Sequence, residues 1–259
     1  MRTVERQAAL LEALAKSPHE GTPLRTLANE VGLAPSSTHR LLRGLVDAGL
    51  AAQDPARQGY RLGRTVLRLA GAYLEQVGFA DVMLPYLEEV TSATGTVSFT
   101  SVRDGDTVIC TSVRAPRETT SFYVRIGKVL PWHASAAAKA LIHGMDADRL
   151  RRNLGEYIGQ RHTQHTLTSV DAVLEDLRAG KARGYWECVE ELEPDVYAVS
   201  APVATRDGRP VASITAVCHR SQRAAELGSV AERVVAAARR ASDEVAALLH
   251  AGQIMEAAR

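Results

Sequence analysis

Residues 22–49, TPLRTLANEVGLAPSSTHRLLRGLVDAG, set two short segments of helical periodicity on either side of Gly32-Leu33-Ala34. Leu24, Leu27, Ala28 and Val31 share one face of the first segment, and Leu41, Leu42, Leu45 and Val46 one face of the second. A turn so short, with a glycine in it, is helix-turn-helix spacing, and few other arrangements can bury both apolar faces at once. Thr22 is expected to cap the first helix with Pro23 at its first position, while Pro35 opens the second and Gly49 ends it. An earlier helix is expected over 4–16, where Val4, Ala8, Leu11 and Ala15 recur with Leu10 and Leu14, capped by Thr3 and stopped at Ser17-Pro18. Segments 50–53 and 60–62 read as two short strands around the polar turn 54–59, a β-wing.

In a helix-turn-helix the second helix enters the major groove and offers its N-terminal residues to base edges. Here Ser36, Ser37, Arg40 and Arg43 lie outside the apolar set of that helix. Arg40 has the geometry to pair bidentately with guanine or to clamp a phosphate, and the serines and the helix N-terminus can hold phosphate oxygens. Arg57, Arg61, Arg64 and Arg68 continue the positive surface through the wing and beyond. Residues 1–68 carry ten Lys and Arg against six Asp and Glu, although the whole chain has a net charge of only +1. Anion-binding potential is therefore concentrated at the front. A run of arginines alone reads as an ordinary solvated face; the order helix, helix, tight turn, helix, wing reverses that reading.

From 63 to 78, Val66, Ala70, Tyr73 and Val77, with Leu67 and Leu74, form a helical stripe on a segment with no room for its own core, which predicts a linker helix. Another helix is expected from Asp81 to about Thr94. Two β-rich hairpins then turn at Asp104-Gly105 and Asp207-Gly208, with helices expected over 135–143, 146–154 and 169–179 between them and over 223–250 at the end. Strand pairs interleaved with helices point to an α+β domain on a mainly antiparallel sheet. At 259 residues with 46% hydrophobic composition the chain has material for two separately cored domains. No stretch reaches membrane-spanning length and the N-terminus lacks a signal-peptide pattern, so a cytoplasmic location without membrane contact is expected.

Catalysis would need a nucleophile with its base, a carboxylate pair, a phosphate-cradling loop or a metal set, and none stands at recognisable spacing. Cys110, Cys188 and Cys218 are far apart and read as buried thiols. Cys188, beside Glu187 and Glu190, is expected to have its thiolate disfavoured by like charge. The closest approach to a metal motif, His162-Thr163-Gln164-His165, lacks further ligands and reads as a polar loop. No cofactor, metal or catalytic residue is expected. A winged helix that docks on protein instead of DNA remains an alternative, and an enzyme a remote one.

Five segments, LAPSSTHRLLRGLVDAGLA, YRLGRTVLRLA, LPWHASAAAKALI, GYWECVEELEP and SAPVATRDGRPVASITAV, occur in the order found in IclR-type regulators, and the chain resembles that family over nearly its whole length. The resemblance implies a winged helix-turn-helix domain over 1–62, a linker helix over 63–78, and a GAF-like antiparallel-sheet effector-binding and oligomerisation domain over 79–259. It further implies homodimers or homotetramers on double-stranded operator DNA, with an inverted repeat as the natural target of two linked copies. Thr38 joins Ser36, Ser37, Arg40 and Arg43 as a DNA contact by that likeness. A small-molecule effector is implied inside a cup near Pro131-Trp132-His133. Phe122 and Leu130 would stand in the covering loop, Ser135, Ala136 and Ala137 at a helix start whose N–H groups suit a carboxylate, and Cys188, Val196, Ala198, Thr215 and Val217 on strands. Where relatives that sense very small keto acids tend to show a glycine, an acid and a serine, this chain has Ala136, Cys188 and Val217. Fewer polar groups in the cup favour a partly hydrophobic, aromatic acid over glyoxylate or pyruvate.

Overall fold

Leu10, Leu14, Leu27, Leu42, Leu45 and Tyr60 meet in one small core because three amphipathic helices and a short sheet each bury a single face. In the computed structural model, which describes residues 3–18, 20–54, 59–77, 80–117, 124–219 and 227–251, these elements are α1 (Thr3–Ala15), β1 (Thr22–Pro23), α2 (Leu24–Glu30), α3 (Pro35–Asp47), β2 (Ala51–Gln53) and β3 (Gly59–Leu62). The sheet order is β1-β3-β2, with both pairings antiparallel. Gly32 turns the chain between α2 and α3 at φ +65°, a left-handed conformation that favours glycine, and Leu33 N–H donates to Ala28 O at 2.9 Å. One expectation fails. Thr22 does not cap α2: it pairs with Tyr60 of β3 and its Oγ1 donates to Ser17 Oγ at 2.6 Å, leaving Pro23 at the N-cap position. The strand bonds of a neighbouring wing outcompete a local cap.

Helix α4 (Arg64–Val77) follows the wing, and the division into two structural units, Met1–Tyr73 and Leu74–Arg259, falls inside it. Its Leu67 and Leu69 are 78% and 59% exposed, and Tyr73 is also open.

The second unit holds α5 (Ala80–Thr94), β4 (Val97–Asp104), β5 (Thr107–Arg114), α6 (Ala136–Ile142), α7 (Ala147–Tyr157), α8 (Val170–Arg183), β6 (Trp186–Val189), β7 (Val196–Ala204), β8 (Pro210–His219) and α9 (Leu227–His250). Residues 223–226, expected to begin the last helix, lie outside the described residues. The antiparallel sheet has the order β5-β4-β8-β7-β6, so the two hairpins join at its centre through β4 and β8, and β6 is a fifth strand outside both. One face packs on α5 and α9 through Met83, Leu87, Ile214 and Val234; the other packs on α6 to α8 through Phe99, Ala140, Leu154 and Val173. With both faces covered, strands such as β8 are buried along nearly their whole length. Helix α8 approaches β6 so closely that a Cβ on Gly180 would clash with the Trp186 ring, whose Nε1 donates to Leu177 O at 3.2 Å.

All seven residues of α6 are buried, Lys139 included. Its Nζ lies 2.8 Å from Asp176 of α8 and 2.8 Å from Glu191 of the β6–β7 loop, and donates to Glu187 O at 3.3 Å. Burial by itself would lower the Lys139 pKa, but Glu191 and then Asp176 outweigh it and hold the ammonium above its ordinary range. A buried charge of this kind is tolerable only while paired, and removing one member leaves the others uncompensated. Lys139→Met is expected to destabilise the second unit by about 3 kcal/mol in equilibrium urea unfolding, the lower end of the range for broken buried pairs because Asp176 is partly exposed. Lys139→Met combined with Glu191→Gln and Asp176→Asn is expected to regain much of that loss; a triple variant no more stable than the single one would contradict the electrostatic origin.

Candidate functional site

On α3 the buried side is Leu41, Leu42 and Leu45, which turns Ser36, Arg40 and Arg43 outward along one face, with Ser37 half-buried beside them. Thr38 departs from the expected set. It is 0% exposed and its Oγ1 donates to Ala34 O at 3.1 Å, so its side chain belongs to the core of the unit and cannot reach a base edge. The exposed His39 stands next to Arg40 and was not expected; its place outside the apolar stripe is the signal that could have found it. Arg61 is exposed on β3, while Arg57 lies outside the described residues. Arg64 and Arg68 are exposed on α4. Together these residues are a run of cations and hydroxyls on the exposed face of α3, a wing strand and the helix after it.

In the second unit a cavity lies between the sheet and the start of α6. This slot encloses about 420 Å³ of space free of atoms, solvent at its mouth included. Leu130, Ala136, Ala137, Cys188, Val196, Ala198, Thr215 and Val217 all line it; Phe122 lies outside the described residues. The register explains the convergence: Cys188 pairs with Ala198 and Ala198 with Val217, while Phe99 pairs with Thr215, so alternate residues of four strands point to one side. Ser135, expected with Ala136 and Ala137 at the helix start, lines the slot too; sequence reasoning missed Phe99, Val124, Lys128, Leu192 and Glu193, which complete the lining. For Lys128 the signal was its position two residues before Leu130 in an extended segment, where i and i+2 share a face.

The segment carrying Lys128 and Leu130 lies along the outer edge of β5. Cys110 N–H donates to Lys128 O at 3.0 Å, Leu130 N–H to Val108 O at 2.9 Å, and Ile109 bridges Val129. Across the mouth, Lys128 Nζ meets Glu193 Oε1 at 3.0 Å. Inside, the polar groups are few. Thr215 Oγ1 lies 2.8 Å from Ser200 Oγ, and Cys188 Sγ donates to Ala134 O at 3.2 Å. The Cys188 thiol is pushed up to about 11, first by burial and then by Glu191, not by Glu187 or Glu190 as their adjacency suggested. It is no nucleophile at neutral pH. With seven residues α6 is too short to sum a large macrodipole, and its first turn offers N–H groups more than a helix field.

Trp132 and His133, in the motif before α6, position the cavity without lining it. Trp132 stacks on Tyr157 at 6.2 Å, and His133 Nε2 donates to Gln160 O at 2.8 Å. Burial first, and the nearby His162, lower the His133 pKa and keep the ring neutral. Around His162 and His165, Thr163 Oγ1 donates to Glu190 O at 2.6 Å and Thr166 Oγ1 to Glu191 O at 2.7 Å, so this loop braces the β6–β7 loop. Among the described residues no group of three His, Cys, Asp or Glu is placed to hold a metal ion, and no helix is long and apolar enough to cross a membrane.

Known proteins arrange the same parts in the same order. The IclR helix-turn-helix domain matches residues 3–55, and the C-terminal domain of bacterial IclR transcriptional regulators matches residues 71–245. The transcriptional regulator BhcR of Paracoccus denitrificans is 31% identical over 98% of this chain and 90% of its own length. An IclR transcriptional regulator from Alicyclobacillus acidocaldarius has a crystal structure that covers 95% of this chain and 97% of its own, with a TM-score of 0.78 at 23% identity. An IclR homologue from Microbacterium hydrocarbonoxydans, solved in complex with 4-hydroxybenzoate, covers 95% of this chain and 100% of its own, with a TM-score of 0.76 at 21% identity. Matched at both ends by the family's two domains and along its length by regulators of transcription, this chain is a member of the IclR family of bacterial transcriptional regulators, DNA-binding proteins and not enzymes.

Proposed function

We propose that two copies of the chain bind an inverted repeat in double-stranded operator DNA, and that a small carboxylic acid in the slot beside α6 alters that affinity. The observation that carries the DNA part is the outward face of α3, where Ser36, Ser37, Arg40 and Arg43 gather without an apolar residue among them. Arg57 and Arg61 of the wing are assigned to the phosphate backbone. The domain limits that follow are 1–62 for DNA binding, 63–78 for the linker and 79–259 for effector binding and oligomerisation. Such a regulator works in the cytoplasm. The 4-hydroxybenzoate held by the Microbacterium relative supports an acid as effector. An apolar lining with a few fixed polar groups favours an acid with a hydrophobic, aromatic body over glyoxylate or pyruvate.

Arg40→Ala is expected to weaken operator binding by about 1 to 3 kcal/mol, the range for a lost base or phosphate clamp, without loss of fold since the side chain is exposed. Titration of labelled operator fragments checks this, and unchanged affinity would remove Arg40 from the interface. Assembly is proposed from Leu67, Leu69 and Tyr73 on α4, a set of apolar side chains in the open that a second copy would cover. Light scattering at micromolar concentration is expected to give a dimer or a multiple of it; a monomer that still binds its operator tightly would refute that.

The effector part predicts that a bulky side chain at Ala136 abolishes the response to ligand and leaves basal operator affinity near normal. A thermal-shift screen of small aromatic and aliphatic acids identifies the ligand first, since at 100 times its dissociation constant it adds about 2.7 kcal/mol of stability. Operator affinity is then measured with and without that acid for the natural protein and for Ala136→Trp, or Ala136→Leu should the indole cost the fold. An unchanged dissociation constant for the acid in a folded variant would place the ligand elsewhere.

A further inference from the structure

Among the residues that line the slot, Lys128 and Glu193 are the charged ones, and they face each other at 3.0 Å over its mouth. They come from opposite sides of the sheet. Lys128 belongs to the segment that extends the β5 edge, and Glu193 to the loop joining β6, the other edge strand, to β7. The two partners are not equivalent. The backbone around Lys128 is fixed to β5 by Cys110 N–H to Lys128 O at 3.0 Å and Gly127 N–H to Cys110 O at 2.8 Å. The loop opposite is braced at Glu191 through Lys139, Thr163 and Thr166; beyond it Asp195 N–H donates to Glu190 Oε1 at 3.0 Å, and Val196 N–H reaches Glu193 O at a long 3.4 Å. The Glu193 side chain is also the more exposed, 38% against 28% for Lys128, so its carboxylate is the one that water can take over at lower cost.

We infer that Lys128 determines the specificity of the slot: its ammonium, paired with Glu193 across the mouth, selects a ligand with an acidic group, which takes the place of Glu193 on entry. This rests on the slot being the effector site proposed above. No proton or bond need change; one carboxylate replaces another on the same cation while the apolar walls receive the rest of the ligand. An uncharged amide of the same shape cannot displace Glu193 in this way, and the selection is against it. Exchange also unfastens the β6–β7 loop from the β5 edge, which makes Glu193 the first group to move when an acid binds.

Cys188, which lines the slot, reports this charge preference without knowledge of the natural ligand. The full chain is treated in parallel with anionic iodoacetate and neutral iodoacetamide at mildly alkaline pH, and adducts on Cys188 and Cys218 are quantified by peptide mass spectrometry. The ratio of the two rates at Cys188, divided by that in the denatured chain, cancels thiolate fraction and intrinsic reactivity. Glu193→Gln is expected to raise the ratio and Lys128→Met to lower it, each about fivefold, the size of a short-range pairing of unit charges near a protein surface. Lys128→Arg is expected to keep the ratio of the natural protein, and Cys218 to change in none. An identical ratio in all versions overturns the inference. So does a Cys188 that reacts only after denaturation, or a preference of the natural protein for cationic 2-bromoethylamine over iodoacetate, which would make Glu193 the selecting group. A protein whose operator affinity answers to no acid sinks the proposed effector role and leaves this ratio readable; an intact acid response with an unchanged ratio sinks the role of Lys128 alone.

Discussion

A lysine with no exposed surface, held between two carboxylates from different elements, fixes the geometry on which the rest of the second unit depends. Lys139 projects from a seven-residue helix that has no polar face of its own, so α6 cannot be positioned by amphipathicity. Its ammonium does that instead, tying α6 to α8 through Asp176 and to the β6–β7 loop through Glu191. Ser135, Ala136 and Ala137, which line the slot, precede that lysine by less than one helical turn or little more. Where Lys139 goes, the slot follows. Such a triad contributes little net stability compared with apolar packing, since desolvation offsets most of the attraction. Its contribution is to specify one arrangement, because a shift of α6 along the sheet would strand a buried charge.

The same loop that anchors α6 also carries Glu193 to the mouth, so one short connection links the buried charge network to the rim. Glu191 bonds to Lys139 and Glu193 to Lys128, and the bends of the chain between 190 and 193 let two residues so close in sequence serve different partners. Thr163 and Thr166 donate their hydroxyls to the backbone carbonyls of Glu190 and Glu191, which satisfies those partly buried acceptors.

In the first unit the constraint is the turn. Gly32 in the left-handed region lets α2 stop and α3 start within a few residues, and the apolar stripes of both helices then converge on Leu10, Leu14 and Tyr60. With the stripes fixed, everything on the far side of α3 is solvent-facing by elimination. Thr38 marks the boundary: one position beyond Ser37, it turns inward and bonds back to Ala34 O instead of projecting with its neighbours.

What the sequence determined by itself was whatever depends on local periodicity and turn chemistry. The two helices around Gly32, the wing, the linker helix and both hairpins could be read from apolar spacing and from Asp-Gly turns, because those signals lie within a few residues of each other. Likeness to a family then named most of the slot lining, which no spacing could have done. Tertiary structure decided the rest. Thr22 pairs with a strand nearly forty residues away and so cannot cap; Cys188 answers to Glu191 across the loop instead of its immediate neighbours; and Lys139 finds Asp176 and Glu191 only when three separate elements have packed. Lys128 and Glu193, sixty-five positions apart, become partners for the same reason. Pairing of charges at long sequence separation leaves no periodic trace, since it is set by the order of strands in a sheet, and that order is chosen by the burial of both its faces together.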